Sequence, residues 1–210
     1  MKRMVDVVVA LLGLVVFSPV IAAVALVIRL TMGRPVLFRQ VRPGFKTRPF
    51  TMYKFRTMRE AYGPDGTPLL DAERLTPLGR LLRKTSLDEL PQLWNVLRGD
   101  LSLVGPRPLL TRYLPYFTER ELVRHEVRPG ITGWAQIHGR NASSWDRRLA
   151  DDVWYVEHQS LWLDFRILVA TARIALLGRG VVVDPESTMR NLDVERADRM
   201  NPATSRQPLS

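Results

Sequence analysis

From Val7 to Ile28 the only polar side chain is Ser18. A helix rising ~1.5 Å per residue needs about 20 apolar residues to cross a bilayer, so this run has the length of a membrane segment. A signal peptide also opens with a basic pair such as Lys2-Arg3, but its apolar stretch is only ~7–15 residues. Here the run is followed by Arg29 and Arg34 rather than by a polar cleavage region, so we read residues 1–34 as a retained membrane anchor. Pro19 has no N–H and its ring clashes with the carbonyl of Val15, which bends the helix at Ser18-Pro19. The Ser18 hydroxyl can serve a freed carbonyl where no water reaches. Lys2 and Arg3 precede the run, and Arg29, Arg34, Arg39, Arg42 and Lys46 follow it. The positive-inside tendency places both flanks in the cytoplasm, which a segment that dips in and returns satisfies. Prolines also kink ordinary spanning helices, so the residues alone leave re-entry and crossing both open.

Beyond the anchor the periodicity changes. Pro35–Gln40 and the alternating Pro49–Arg56 read as two strands joined through Pro43-Gly44, a hairpin beside the membrane. Tyr62–Pro68 is a loop of turn formers. Thr76-Pro77 is an N-cap with proline at the first helical position, opening a basic helix through Lys84. Ser86–Leu97 reads as a further helix ended near Gly99, and Gly105-Pro106-Arg107-Pro108 as a rigid loop. A short helix over Thr118–His125, a turn over Arg128–Gly133 and a helix over Trp145–His158 follow. Leu161–Leu177 carries only Asp164, Arg166 and Arg173 as charges, which suits either the membrane interface, with both arginines at headgroups, or a core helix whose arginines reach solvent. Val181–Val183 has the pattern of a short strand, and the polar, Arg-rich stretch from residue 184 to 210 reads as a flexible tail. The fold class is helix-rich α+β, with a compact domain over residues 35–183 surrounded by interfacial amphipathic helices.

The chain has 210 residues, no cysteine, a net charge of +10 and a pI near 10.7. Absence of cysteine excludes disulfides, thiolate metal sites and a cysteine nucleophile. The positive balance calls for something anionic: nucleic acid, anionic lipid or a phosphorylated substrate.

Ser86-Leu-Asp-Glu-Leu-Pro-Gln92 admits two readings. Ser86 and Glu89 have capping-box spacing, and acids suit a first helical turn. Alternatively, the adjacent carboxylates Asp88 and Glu89 sit among Arg80, Arg83, Lys84, Arg98 and Arg107, the setting for a Mg²⁺ shared with substrate phosphates. A carboxylate can also attack phosphorus directly. Pro106 and Pro108 hold Arg107 on a stiff backbone, suited to clamping a phosphate or simply a solvated loop residue. Alternation puts Lys54 and Arg56 on one strand face, aimed at phosphate or anionic lipid, or merely solvated. Gly133–Asn141, with Arg140, is turn-rich enough to shape a nucleotide pocket, and Asp151-Asp152 is either a structural pair or an acid at the site. His125, His138 and His158 lack metal-ligand spacing, and no Walker, HExxH or GxSxG motif occurs.

Together the Ser18-Pro19 break, Tyr-Lys-Phe-Arg-Thr-Met at 53–58, Ser-Leu-Asp-Glu-Leu at 86–90, Val-Gly-Pro-Arg-Pro at 104–108 and Arg-Pro-Gly-Ile-Thr-Gly-Trp-Ala-Gln at 128–136 resemble the small monotopic phosphoglycosyl transferases of the bacterial sugar transferase family. The likeness runs from Lys2 to about Val183 and is nearest to members that begin bacterial N-linked glycan assembly. Exopolysaccharide-priming members share the same catalytic core. The resemblance implies a re-entrant anchor on the cytoplasmic face of the bacterial inner membrane. It implies Asp88 as nucleophile and Mg²⁺ ligand, Glu89 as its partner, a UDP-sugar donor, release of UMP, and polyprenyl (undecaprenyl) phosphate as acceptor. Lys54, Arg107, Arg140 and Asp152 fall on family positions near the site, and Arg56, Pro106, Pro108 and Arg128 complete the candidate substrate contacts. Membrane lipid is the other expected partner; nucleic acid is not expected, and a homo-oligomer is left open. The competing reading is a membrane-tethered basic binding or scaffold protein without catalysis. It accounts for the charge but not for the acid pair in its basic setting.

Overall fold

The computed structural model describes residues 1–67, 69–138, 144–177 and 191–200. Helix α1 (Lys2–Val16) and helix α2 (Ser18–Thr31) meet at a 61° bend. The Ser18 hydroxyl donates to the Val15 carbonyl at 2.8 Å, the acceptor that Pro19 cannot serve. Among the described residues no single helix is long and apolar enough to cross a membrane, whereas the bent pair passes that test of length and composition together. Its sides remain apolar and uncovered at Val8, Leu11, Leu12, Val15, Val16, Phe17 and Leu26.

Both ends of the pair are fixed to one body. At the start of α1, Lys2 Nζ donates to Asp164 (2.6 Å) and the Val104 carbonyl (3.0 Å). Arg3 donates to the carbonyls of Val96 and Leu97, and Asp6 accepts from the Ser102 hydroxyl and the Leu103 N–H. At the end of α2, Ile28 is fully buried against Phe55 and Leu82. The basic N-terminal residues are thus spent on the protein rather than left free for headgroups.

Strand β1 (Leu37–Pro43) pairs antiparallel with β2 (Pro49–Phe55), Leu37 opposite Phe55 and Pro43 opposite Pro49, as the hairpin reading requires. Helix α3 (Asp71–Arg74) is a single turn. Helix α4 (Pro77–Thr85) begins as expected, with the Thr76 hydroxyl accepting from the Gly79 N–H at 2.9 Å. Ser86–Leu97 is not one helix. Ser86 takes a left-handed conformation (φ 57°) at the end of α4 and makes no side-chain cap. Residues 87–89 form a 3₁₀ turn, and α5 (Gln92–Arg98) starts only after Pro91. Proline cannot donate to the preceding turn but fits a helix start, so it splits the segment and sets the acid pair on its own turn.

A second, parallel two-stranded sheet, which we did not expect, joins β3 (Ser102–Val104) to β4 (Gly130–Thr132). Here backbones touch: a Cβ on Gly105 would lie 2.4 Å from the Arg128 carbonyl oxygen, and one on Gly130 2.1 Å from the Gly105 nitrogen. Helices α6 (Glu119–Leu122), α7 (Trp134–His138), α8 (Trp145–His158) and α9 (Leu161–Leu177) complete the domain. Ala10, Val96, Leu101, Leu103, Val104, Tyr155, Leu163 and Ile167 form its core. In α9, Leu163 and Ile167 are buried while Trp162, Phe165, Arg166 and Arg173 face outward, the pattern of a core helix with an exposed side.

The stretch read as a flexible tail contains α10 (Leu192–Met200). Leu192 is fully buried with Leu109, Tyr113, Phe117, Trp145 and Leu149. Leu192 is the α10 residue that reaches this cluster, in a run otherwise dominated by charge. Val181–Val183 lies outside the described residues.

Candidate active site

The 3₁₀ turn after α4 places Asp88 and Glu89 side by side but in different company. Glu89 Oε1 accepts from Lys54 Nζ at 2.5 Å, brought by β2, and from Arg107 Nη2 at 3.0 Å, brought by the loop after β3. The Asp88 carboxylate accepts no hydrogen bond and forms no ion pair among the described residues, although only 8% of the residue is exposed. Burial and then the Glu89 charge push the Asp88 carboxyl up to about 6, against the pull of Lys54, Arg107 and Arg83. Burial works to raise Glu89 as well, but Lys54 and Arg107 hold it down at about 2. The pair therefore comprises one carboxylate committed to protein cations and one left uncommitted.

The Arg107 loop is held from both sides. The Pro106 carbonyl accepts from the Gly130 N–H at 3.0 Å, and the Arg107 carbonyl from Arg124 Nη2 at 2.6 Å. Arg124 in turn donates to Asp152 Oδ2 at 2.8 and 3.1 Å, with 2% and 7% of the two side chains exposed. This pair lies behind the loop and fixes it without facing outward.

Two further arginines border the site. Arg42, half-buried, is lowered to about 10 by burial and by Arg107, and its guanidinium donates to the Gln40 side chain. Arg148 is lowered by burial and by Arg107, and lies over the Trp145 ring at 4.9 Å. Among the described residues neither Arg42 nor Arg148 forms a salt bridge, and cations crowded beside Arg107 in this way suit a polyanion.

The structure thus brings together Lys54, Asp88, Glu89 and Arg107, with Pro106 and Pro108 flanking the last and Asp152 reaching it through Arg124. Arg56 is elsewhere: it donates to the carbonyls of Met32, Gly33 and Arg34 and closes the end of α2. Arg128 donates to the Gly99 carbonyl at 2.9 Å and stacks on Phe45, and none of its contacts is with the acid pair. Arg140 lies outside the described residues. Ser18 and Pro19 form the bend of the anchor. Sequence reasoning singled out neither Arg124 nor Arg148 as a site residue, and took Arg42 only as part of a basic flank. For Arg148 a signal existed, its position three residues after Trp145; for Arg124 nothing in the pattern distinguished a buried arginine.

Residues 1–178 match the family model described as bacterial sugar transferase. The chain belongs to the bacterial sugar transferase family. Within it, the chain is similar to the "Uncharacterized sugar transferase EpsL" of Bacillus subtilis, 55% identical over 181 residues, which cover 86% of this chain and 90% of that one. It is 43% identical over 180 residues to the UDP-glucose:undecaprenyl-phosphate glucose-1-phosphate transferase of Caulobacter vibrioides, covering 81% of this chain and 67% of that one. It is 42% identical over 188 residues to the UDP-N-acetylgalactosamine-undecaprenyl-phosphate N-acetylgalactosaminephosphotransferase of Aeromonas hydrophila, where the match covers 85% of this chain but 44% of the relative. The family members with named reactions are thus undecaprenyl-phosphate sugar phosphotransferases.

Proposed function

We propose that this chain transfers a sugar 1-phosphate from a UDP-sugar to polyprenyl phosphate through a covalent intermediate on Asp88. The observation that carries the reading is the contrast within the acid pair: Glu89 Oε1 takes both Lys54 and Arg107, while Asp88 pairs with no cation among the described residues and keeps both oxygens for something outside the protein. In the first step an Asp88 oxygen bonds to the β-phosphorus of the donor. The bond from that phosphorus to the bridging oxygen breaks, and UMP leaves with the electron pair. In the second, a phosphate oxygen of the acceptor attacks the same phosphorus, the acyl-phosphate bond breaks, and Asp88 is restored as a carboxylate. Arg107, Arg42 and Arg148 receive the diphosphate, with Glu89, itself paired to Lys54, keeping Arg107 in place.

Among the described residues no cluster of three or more acids or histidines forms a protein cage for a metal. One unpartnered carboxylate fits a hard cation that takes its remaining ligands from phosphate and water, so Asp88 is the residue that would hold Mg²⁺. Bound Mg²⁺ supplies positive charge against the diphosphate.

The anchor reading follows from its two fixed ends. Lys2, Arg3 and Asp6 at the start and Ile28 and Arg56 at the finish join the same domain, which supports a segment that enters the cytoplasmic leaflet and returns. The outward apolar side chains of α9 and Trp94 on α5 suit a domain resting on that leaflet.

The test is Asp88→Asn, assayed in detergent or nanodiscs for UMP release with polyprenyl phosphate and a panel of UDP-sugars. Activity is expected to fall at least ~10³-fold with the protein still folded. Turnover at the unaltered rate would reject the assignment.

A further inference from the structure

The family match stops at residue 178, yet α10 beyond it is tied to the domain more tightly than a tail requires. Arg196 donates from Nη1 to the Tyr116 carbonyl and Glu121 Oε2, both at 2.6 Å, and from Nη2 to Glu121 Oε1 at 2.6 Å and Asp146 Oδ1 at 3.1 Å. A planar fork against a carboxylate is a contact that lysine does not reproduce. Both Arg196 and Glu121 side chains are only 13% exposed, which limits screening by solvent. Just before α10, Asn191 accepts from the Tyr113 hydroxyl at 2.9 Å.

Each segment that Arg196 joins leads into the arginine wall of the active site. Tyr116 closes the 3₁₀ turn over 111–116, which follows Arg107 and Pro108. Glu121 stands three residues before Arg124, the side chain that grips the Arg107 carbonyl. Asp146 lies in the first turn of α8, which carries Arg148 and Asp152. The route from Arg196 to Arg107 is therefore short and built of bidentate or buried contacts.

We propose that α10 is a C-terminal brace for the arginine wall, with Arg196 a positioning residue for Arg107. The proposal rests on reading that wall as the donor's diphosphate site. Arg107 then sits in its clamping position only while α6 and the 3₁₀ turn over 123–125, which carries Arg124, are held, and α10 holds them.

The experiment compares the full chain with Arg196→Gln, Arg196→Lys and a chain ending at residue 190, in nanodiscs. Donors are UDP-glucose, UDP-galactose and UDP-N-acetylgalactosamine, and UMP release is followed. For the donor that is turned over, KM is expected to rise roughly tenfold in Arg196→Gln and in the shortened chain, with kcat within about threefold. Arg196→Lys recovers part of the loss. Amide hydrogen exchange over residues 118–126 accelerates in both, while residues 92–104 exchange as before. An unchanged KM overturns the brace. So does faster exchange throughout the domain with kcat falling in step, which marks a general loss of folding. If the unaltered chain releases no UMP from any donor, the donor reading fails, and exchange over 118–126 alone decides for or against the brace.

Discussion

Asp88 and Glu89 are neighbours on one turn, yet their surroundings divide the work. Glu89 neutralises Lys54 and Arg107 and is held at about 2; Asp88 is buried beside that charge and is pushed to about 6. The acid pair and Arg107 were legible because their residue types stand out in a linear pattern. The division of roles was not, since it depends on which carboxylate the β2 lysine reaches. Arg124 was invisible for a similar reason: a buried arginine is stable only through a partner, and Asp152 is 28 residues away. His125, next to it, is buried against Phe117, and burial and then Arg124 lower it to about 4 against a weak pull upward from the Leu122 backbone. A histidine with a folded value below its unfolded one contributes stability that is complete above ~6.5 and lost as pH falls towards ~4. Relative to His125→Phe, the unaltered chain should lose up to about 3 kcal/mol across that window. Thermal midpoints of the two proteins at pH 7.5 and pH 4.5 check this; a constant difference contradicts it.

At the scale of elements, the hairpin, the α4 cap and the α8 span were readable from alternation, Thr76-Pro77 and apolar spacing. The parallel β3–β4 pair was not, because three residues on each side are too few to establish a period and their partners are distant in sequence. Pro91 splits the segment because it cannot donate into the preceding turn, which leaves the acid pair on a turn of its own. Asn95 shows how the pieces join. Fully buried on α5, it accepts from the Tyr53 N–H at 3.1 Å and donates to the Thr51 carbonyl at 2.7 Å and to Asp100 at 3.0 Å, acting as a third strand beside β2. Asn95→Ala leaves buried backbone groups of β2 unserved and should destabilise the domain by about 2–4 kcal/mol. Lys54, next to Tyr53 and three residues from Thr51 on β2, should lose its grip on Glu89. A thermal midpoint within a degree of the unaltered protein would contradict this role.

For the whole molecule, the decisive feature is that the bent apolar helix pair proposed as the membrane anchor begins and ends on one domain. The sequence suggested it through basic residues on both flanks, but for a partly different reason. Lys2 and Arg3 serve Asp164 and the end of α5, and Arg56 closes α2. The chain has no cysteine, so single substitutions report topology cleanly. Met4→Cys and Arg48→Cys should both resist an impermeant maleimide in intact cells and both react in inside-out vesicles; opposite labelling of the two would reject re-entry.

The tail was misjudged at residues 192–200, where one leucine and two arginines suffice to dock a polar helix. Its charge had pointed to disorder, while its partners, Glu121 and Asp146, were out of view along the chain.

The central claim concerns a phosphorus atom bonded to a side chain in mid-reaction. Incubating the full chain with its UDP-sugar in the absence of polyprenyl phosphate, followed by intact-protein and peptide mass spectrometry, examines it directly. The predicted result is a mass increase of one phosphosugar on the peptide bearing residue 88, discharged when polyprenyl phosphate is added and missing from Asp88→Asn. UMP release that strictly requires both substrates at once, with residue 88 never modified, would contradict the account.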